Sequence, residues 1–179
     1  MHRLSLMFLV SAALVLALCD TAAAQQVRRA ERLVGANENP PVVTDGSGNF
    51  RSVIFADRVE FRLRYDVGAP DSDVTQAHLH IANPGNNGGI VVFLCSNAGN
   101  TPAGATQRNC PASPDVVEGE IVAADVLAVT EGDPAVTIIE AGDLDGLARL
   151  IRQGAVYANV HSNDFPAGEV RGQLSTRRR

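Results

Sequence analysis

The chain has 179 residues, of which 45% are hydrophobic and 20% charged, with four His, no Trp, no Lys and a formal net charge of −5. An acidic balance of this kind argues against nucleic acid and anionic membrane as partners, since both need a cationic surface to hold them. The one basic cluster, Arg177, Arg178 and Arg179, reads as a solvated tail.

In chain order, the first feature is an export signal. Arg3 precedes an apolar run from Leu4 to Leu18, and Ala22, Ala23 and Ala24 supply the small residues of a cleavage site, so a mature chain starting at Gln25 is expected. Cys19 would mark a lipid anchor only behind a small residue, and Leu18 stands there; the expectation is a soluble protein, secreted or periplasmic. No later apolar run approaches the roughly 20 residues a membrane span requires. Residues 25–179 are then expected to form one domain, with its core at about 31–175.

The opening segment Gln25 to Arg32 reads as a frayed or extended leader, and Glu31 to Gly35 as the first strand. Asn49 to Ala56 is β-branched and aromatic, and a short polar Asp57 and Arg58 join it to the next run as a hairpin. From Arg58 to Val67 the alternation is strict: Val59, Phe61, Leu63, Tyr65 and Val67 share one face, and Arg58, Glu60, Arg62, Arg64 and Asp66 the other. That is a strand with one wet face. Further strands are expected at Val74 to Ile81, Gly89 to Cys95, Val117 to Ala123, Ala155 to His161 and Glu169 to Leu174. Turn-rich stretches such as Asn83 to Gly89 separate them; that loop, next to His80, reads as a turning element, with the shaping of a site as the alternative. One segment has helical spacing, with Leu144, Leu147, Leu150 and Ile151 behind a candidate N-cap at Asp143 and before Gly154. Together these elements predict an all-β, antiparallel sandwich with one short helix near Asp143 to Gln153.

Cys95 and Cys110 are the only cysteines left after signal removal, and exported thiols oxidise, so a disulfide between them is expected. The segment they close is rich in Gly, Asn, Thr and Pro and reads as a surface loop, whose closure would stabilise the fold by roughly 3 kcal/mol. A thiolate metal site is the rival reading, but two Cys without a second pair match structural zinc spacing poorly.

Three blocks carry a family resemblance that spans Leu33 to Leu174. They are Leu33 to Val42 with the following Gly46 to Phe50, then Val74 to Ile81 leading through a Gly-rich loop into Gly89 to Cys95, and lastly Gly154 to Leu174. On these blocks the chain resembles the CHRD domain family, named from its repeats in chordin. The resemblance implies an extracellular β-sandwich of immunoglobulin-like character, found in bacterial exported proteins and in chordin, with no catalytic activity established for the domain.

The residues themselves offer one chemical signal. His78, His80 and His161 are the only histidines beyond the signal, and all lie within these blocks. Ala77, Leu79 and Ile81 set the apolar parity of one strand, which places Gln76, His78 and His80 on its other face. In the second strand Val156, Ala158 and Val160 do the same, leaving Tyr157, Asn159 and His161 on the polar side. Residues i and i+2 of a strand lie about 6.6 Å apart, so the three imidazoles are expected to converge on a polar surface and to hold a copper or zinc ion there. Protons would compete for them below about pH 6.5. The bland alternative is that the histidines hydrogen-bond to Tyr157, Asn159, Glu169 or loop carbonyls and tie strands together without metal. Tyr157, Asn159, Glu169 and Arg171 are the expected supporting residues around the site, although Glu169 and Arg171 also read as a structural ion pair.

Three functional classes remain open. The first is a non-catalytic binding module for an extracellular protein, a polysaccharide or a metal ion, supported by the absence of a nucleophile motif, phosphate loop or carboxylate pair. The second is a three-histidine metalloenzyme, redox or hydrolytic, for which no base or substrate pocket is identifiable. The third is a structural envelope or matrix protein without a discrete ligand.

Overall fold

The computed structural model describes residues 26–69 and 72–174. The expected export signal and the Arg177 to Arg179 tail lie outside these residues. Among the described residues, ten strands and one α-helix follow in the order β1 (Gln26–Val34), β2 (Ser47–Ile54), β3 (Val59–Asp66), β4 (Val74–Ile81), β5 (Ile90–Ser96), β6 (Asp115–Ile121), β7 (Val129–Glu131), β8 (Val136–Ile139), α1 (Leu144–Gln153), β9 (Val156–Ser162) and β10 (Val170–Gln173), with single 3-10 turns at Gly35–Asn37 and Ala123–Asp125. All the pairings are antiparallel, in an eight-stranded sheet of order β5-β4-β9-β10-β1-β2-β3-β6 and a separate β7-β8 ribbon. Among the described residues, no helix is long and apolar enough to cross a membrane.

The alternation of β3 does what elementary physics requires. Val59, Phe61, Leu63 and Tyr65 are buried, while Arg62, Arg64 and Asp66 are exposed. A turn from Phe55 to Arg58 joins β2 to β3, with the Phe55 N–H donating to the Arg58 carbonyl at 2.9 Å. The large sheet curls until its outer strands, β5 and β6, come into contact, which gives a sandwich-like or barrel-like body with an apolar interior. Here the Cys95–Cys110 disulfide links β5 to the loop before β6, and the Ser96 N–H donates to the Arg108 carbonyl at 2.8 Å.

Helix α1 packs Leu147 and Ile151 into the core, with Leu144 and Leu150 half-buried at its margin. Its ends are defined by local chemistry. The Asp143 carboxylate accepts from the Gly146 N–H at 2.7 Å, and Gly154 closes the helix at φ 76°, a left-handed conformation that a side chain would strain.

Two expectations need correction. The segment expected to be a leader is the start of β1, paired with β2 from Gln26 opposite Ile54 to Val34 opposite Ser47. Pairing with a neighbouring strand satisfies its backbone where local composition gave no reason for order. The β7-β8 ribbon was also not foreseen, because its strands are short and β8 leaves Val136 and Ile138 exposed, which erases the alternation.

Candidate metal centre

Strands β4 and β9 are adjacent, and their register puts Gln76 opposite His161, His78 opposite Asn159 and His80 opposite Tyr157. The period-2 geometry that placed the three histidines on one parity therefore brings them together in space. Their candidate ligand atoms all lie within 4.8 Å of one another. His78 Nδ1 and His161 Nε2 are 3.2 Å apart. Two nitrogens sharing a tetrahedral zinc at about 2.0–2.1 Å would be about 3.3–3.4 Å apart, so this pair already has the spacing of ligands to one ion.

The face is not a wet surface, as the sequence pattern had implied. His78 is 1% exposed, and His80 and His161 are each 8% exposed. Cover comes from β5, β9, β10 and the loop after β4. Phe93 of β5 stands edge-on to His78 with ring centres 4.5 Å apart, Tyr157 stacks flat on His80 at 4.8 Å, and the Arg171 guanidinium lies 3.4 Å over the Tyr157 ring. Loop 83–89 closes over this stack. Its Asn86 carbonyl and the Asn87 side-chain oxygen accept from Arg171, so the loop shapes the site as well as turning the chain.

Two loop carbonyls decide where the imidazole protons sit. His80 Nδ1 faces the Gly88 carbonyl at 2.8 Å, and His161 Nδ1 faces the Pro166 carbonyl at 3.0 Å. A carbonyl only accepts, so each Nδ1 carries the proton and each Nε2 is left with a free lone pair. Without an ion, His161 Nε2 accepts from His78 Nδ1–H; with the His78 proton on Nε2 instead, both nitrogens of this 3.2 Å pair are free to bind one ion. His78 Nε2 and His80 Nε2 are buried and make no hydrogen bond of good geometry, nor does the side-chain oxygen of Asn159, although the Asn159 side chain stands near enough to His80 to favour its protonated form. Orphaned buried polar atoms are costly, and basic nitrogens backed by carbonyls on their far side are what a metal ligand set needs. Part of the bland reading is true as well, since both carbonyl bonds tie strands to loops.

Burial also sets the ionisation. Desolvation lowers the His78 pKa from 6.5 to about 2, with repulsion from His161 and His80 adding to it, and lowers that of His80 to about 4 against the opposing pull of the Gly88 carbonyl. His161 is lowered by the same cause. The imidazoles thus stay neutral below the usual range, and proton competition for an ion starts lower than pH 6.5.

Of the expected supporting residues, Tyr157, Asn159 and Arg171 line this site. Glu169 makes other contacts: its Oε1 accepts from the Thr44 hydroxyl and the Gly68 N–H, both at 2.7 Å, and anchors the loop before β2. Three contributors escaped the sequence reading, Pro166, Phe93 and Glu38, and a fourth, Gly88, lies in the loop read chiefly as a turn. Glu38 is buried, and desolvation raises its pKa to about 7 although Arg171 opposes the shift. A Cβ on Gly88 would stand 1.8 Å from the Ile81 carbonyl oxygen, so only glycine lets the chain pass there and present its own carbonyl to His80.

No curated protein and no solved structure matches the chain. The CHRD domain model matches residues 30–174, a span that includes β4, β9, β10 and all three histidines. By that match, which covers most of the chain, the protein belongs to the CHRD domain family.

Proposed function

We propose that the chain is an exported, non-catalytic binding module that holds a copper or zinc ion through His78, His80 and His161. The observation that carries this reading is the pair of buried, unpartnered Nε2 atoms on His78 and His80 beside His161 Nε2, with two of the rings oriented by backbone carbonyls. The Cys95–Cys110 disulfide fits an oxidising compartment. The residues have distinct tasks. His80 and His161 would offer Nε2, and His78 would offer either nitrogen according to its tautomer. Tyr157 and Phe93 keep water away, and Gly88 and Pro166 hold the proton-bearing nitrogens in place. A metalloenzyme needs an open coordination position that substrate can reach. Rings exposed by 8% or less argue for retention of an ion over turnover. The wider partner of such a module would be an extracellular protein or a polysaccharide.

Elemental analysis of protein purified without added metal, followed by copper and zinc titration of the stripped protein, tests the reading. One ion per chain is expected, with loss of binding in the triple His→Ala variant and in the milder His80→Gln and His161→Gln variants. Equal binding by wild type and variants refutes it.

A further inference from the structure

Resting on that reading, we infer that the centre is selective by charge and takes a cuprous ion in preference to a divalent one such as zinc. The ligand set is neutral: the cluster of potential ligands contains three imidazoles and no Asp, Glu or Cys. The formal charge closest to it in the ring stack is positive. Arg171 is 2% exposed and lies over Tyr157, which in turn lies flat on His80, so the guanidinium is held roughly 10 Å from an ion on His80 Nε2, given the usual metal–nitrogen bond. Asn87 and Asn86 satisfy Arg171 through neutral oxygens, so its charge is not cancelled by a bonded carboxylate.

A buried ion must be compensated by its surroundings, and the penalty rises steeply with charge. Moving from +1 to +2 adds one unit of repulsion from Arg171, which at roughly 10 Å and an effective dielectric of about 20 alone disfavours the divalent ion by ~10-fold. Coordination number acts in the same direction. Zinc is four-coordinate and needs a further ligand, commonly water or a carboxylate, beyond three histidines. A cuprous ion is satisfied by two or three nitrogens, and the 3.2 Å pair of His78 and His161 with His80 beside it supplies that number. Glu38, the buried acid that interacts with both Arg171 and Tyr157, has its pKa raised to about 7 by desolvation, so it offsets Arg171 little below that pH. The charge preference is therefore fullest when the titrations are run at about pH 6.

The experiment is a paired competition on metal-free, disulfide-intact protein. Cuprous ion is titrated without oxygen against a chromophoric cuprous chelator, with a reductant that spares the disulfide. Zinc is titrated against a chromophoric zinc chelator. Cuprous affinity at least ~10-fold above zinc affinity is expected from the charge argument. Zinc binding as tightly or more tightly overturns the inference and leaves the metal-site reading standing, whereas failure to bind either ion removes both. A second arm uses Asn159→Asp, which is nearly isosteric and puts a carboxylate opposite His78 and beside Arg171 in the β4-β9-β10 ladder. Whether that carboxylate reaches the ion or neutralises Arg171, it should shift the ratio toward zinc by ~10-fold or more. An unchanged ratio in a folded Asn159→Asp protein, as judged by circular dichroism, also overturns the inference.

Discussion

Acidification is a direct probe of the buried histidines. His80 titrates near 6.5 in the unfolded chain and at about 4 in the fold, so the unfolded state binds more protons between these values. Stability is therefore fully present above 6.5 and is lost as pH falls toward 4. At about 1.4 kcal/mol per pKa unit, His80 alone removes about 2–3 kcal/mol between pH 7.5 and 4.5. His78 and His161 act with the same sign, because their values are also lowered. Glu38 acts with the opposite sign: its folded pKa of about 7 lies above the usual 4.5, so its contribution is present at low pH and lost as pH rises through 7. The raw pH profile mixes these terms, and a difference between proteins separates them. His80→Asn, whose side-chain amide nitrogen takes the place of Nδ1, keeps an N–H donor for the Gly88 carbonyl but cannot titrate. Urea unfolding of metal-free wild type and His80→Asn at pH 7.5 and 4.5, with a chelator present, should show wild type losing about 2–3 kcal/mol more than the variant over that interval. Parallel losses in the two proteins would refute a neutral, desolvated His80.

Gly88→Ala places a Cβ 1.8 Å from the Ile81 carbonyl oxygen, so the loop must move and the His80 Nδ1–H loses its acceptor. A buried donor left unmade costs about 1–3 kcal/mol, so thermal unfolding should show a loss of at least that size together with weakened metal binding. Reducing the Cys95–Cys110 bridge, whose partners are 15 residues apart, should cost about 3 kcal/mol in denaturant unfolding; mass spectrometry of the non-reduced protein should show a chain two protons lighter than the reduced one.

Local periodicity made much of this molecule legible in its sequence. The alternation from Val59 to Tyr65 settles which face of β3 is buried, and Asp143 and Gly154 bracket α1 because capping depends on residues within one turn. The shared parity of His78 and His80 follows from the strand repeat alone, and the pairing of Cys95 with Cys110 was legible once Cys19 was assigned to the expected export signal. Tertiary structure decided what periodicity cannot carry. That β4 lies beside β9 is a long-range pairing, and only this brings His161 to within 3.2 Å of His78. The polar face of these strands is buried because Phe93 of β5, Arg171 of β10 and the loop that follows β4 fold over it. Gly88 and Pro166 assign the imidazole protons through main-chain oxygens, which every residue possesses and no sequence pattern marks. Side-chain alternation is encoded over two residues, whereas desolvation and proton placement depend on what the fold stacks above them.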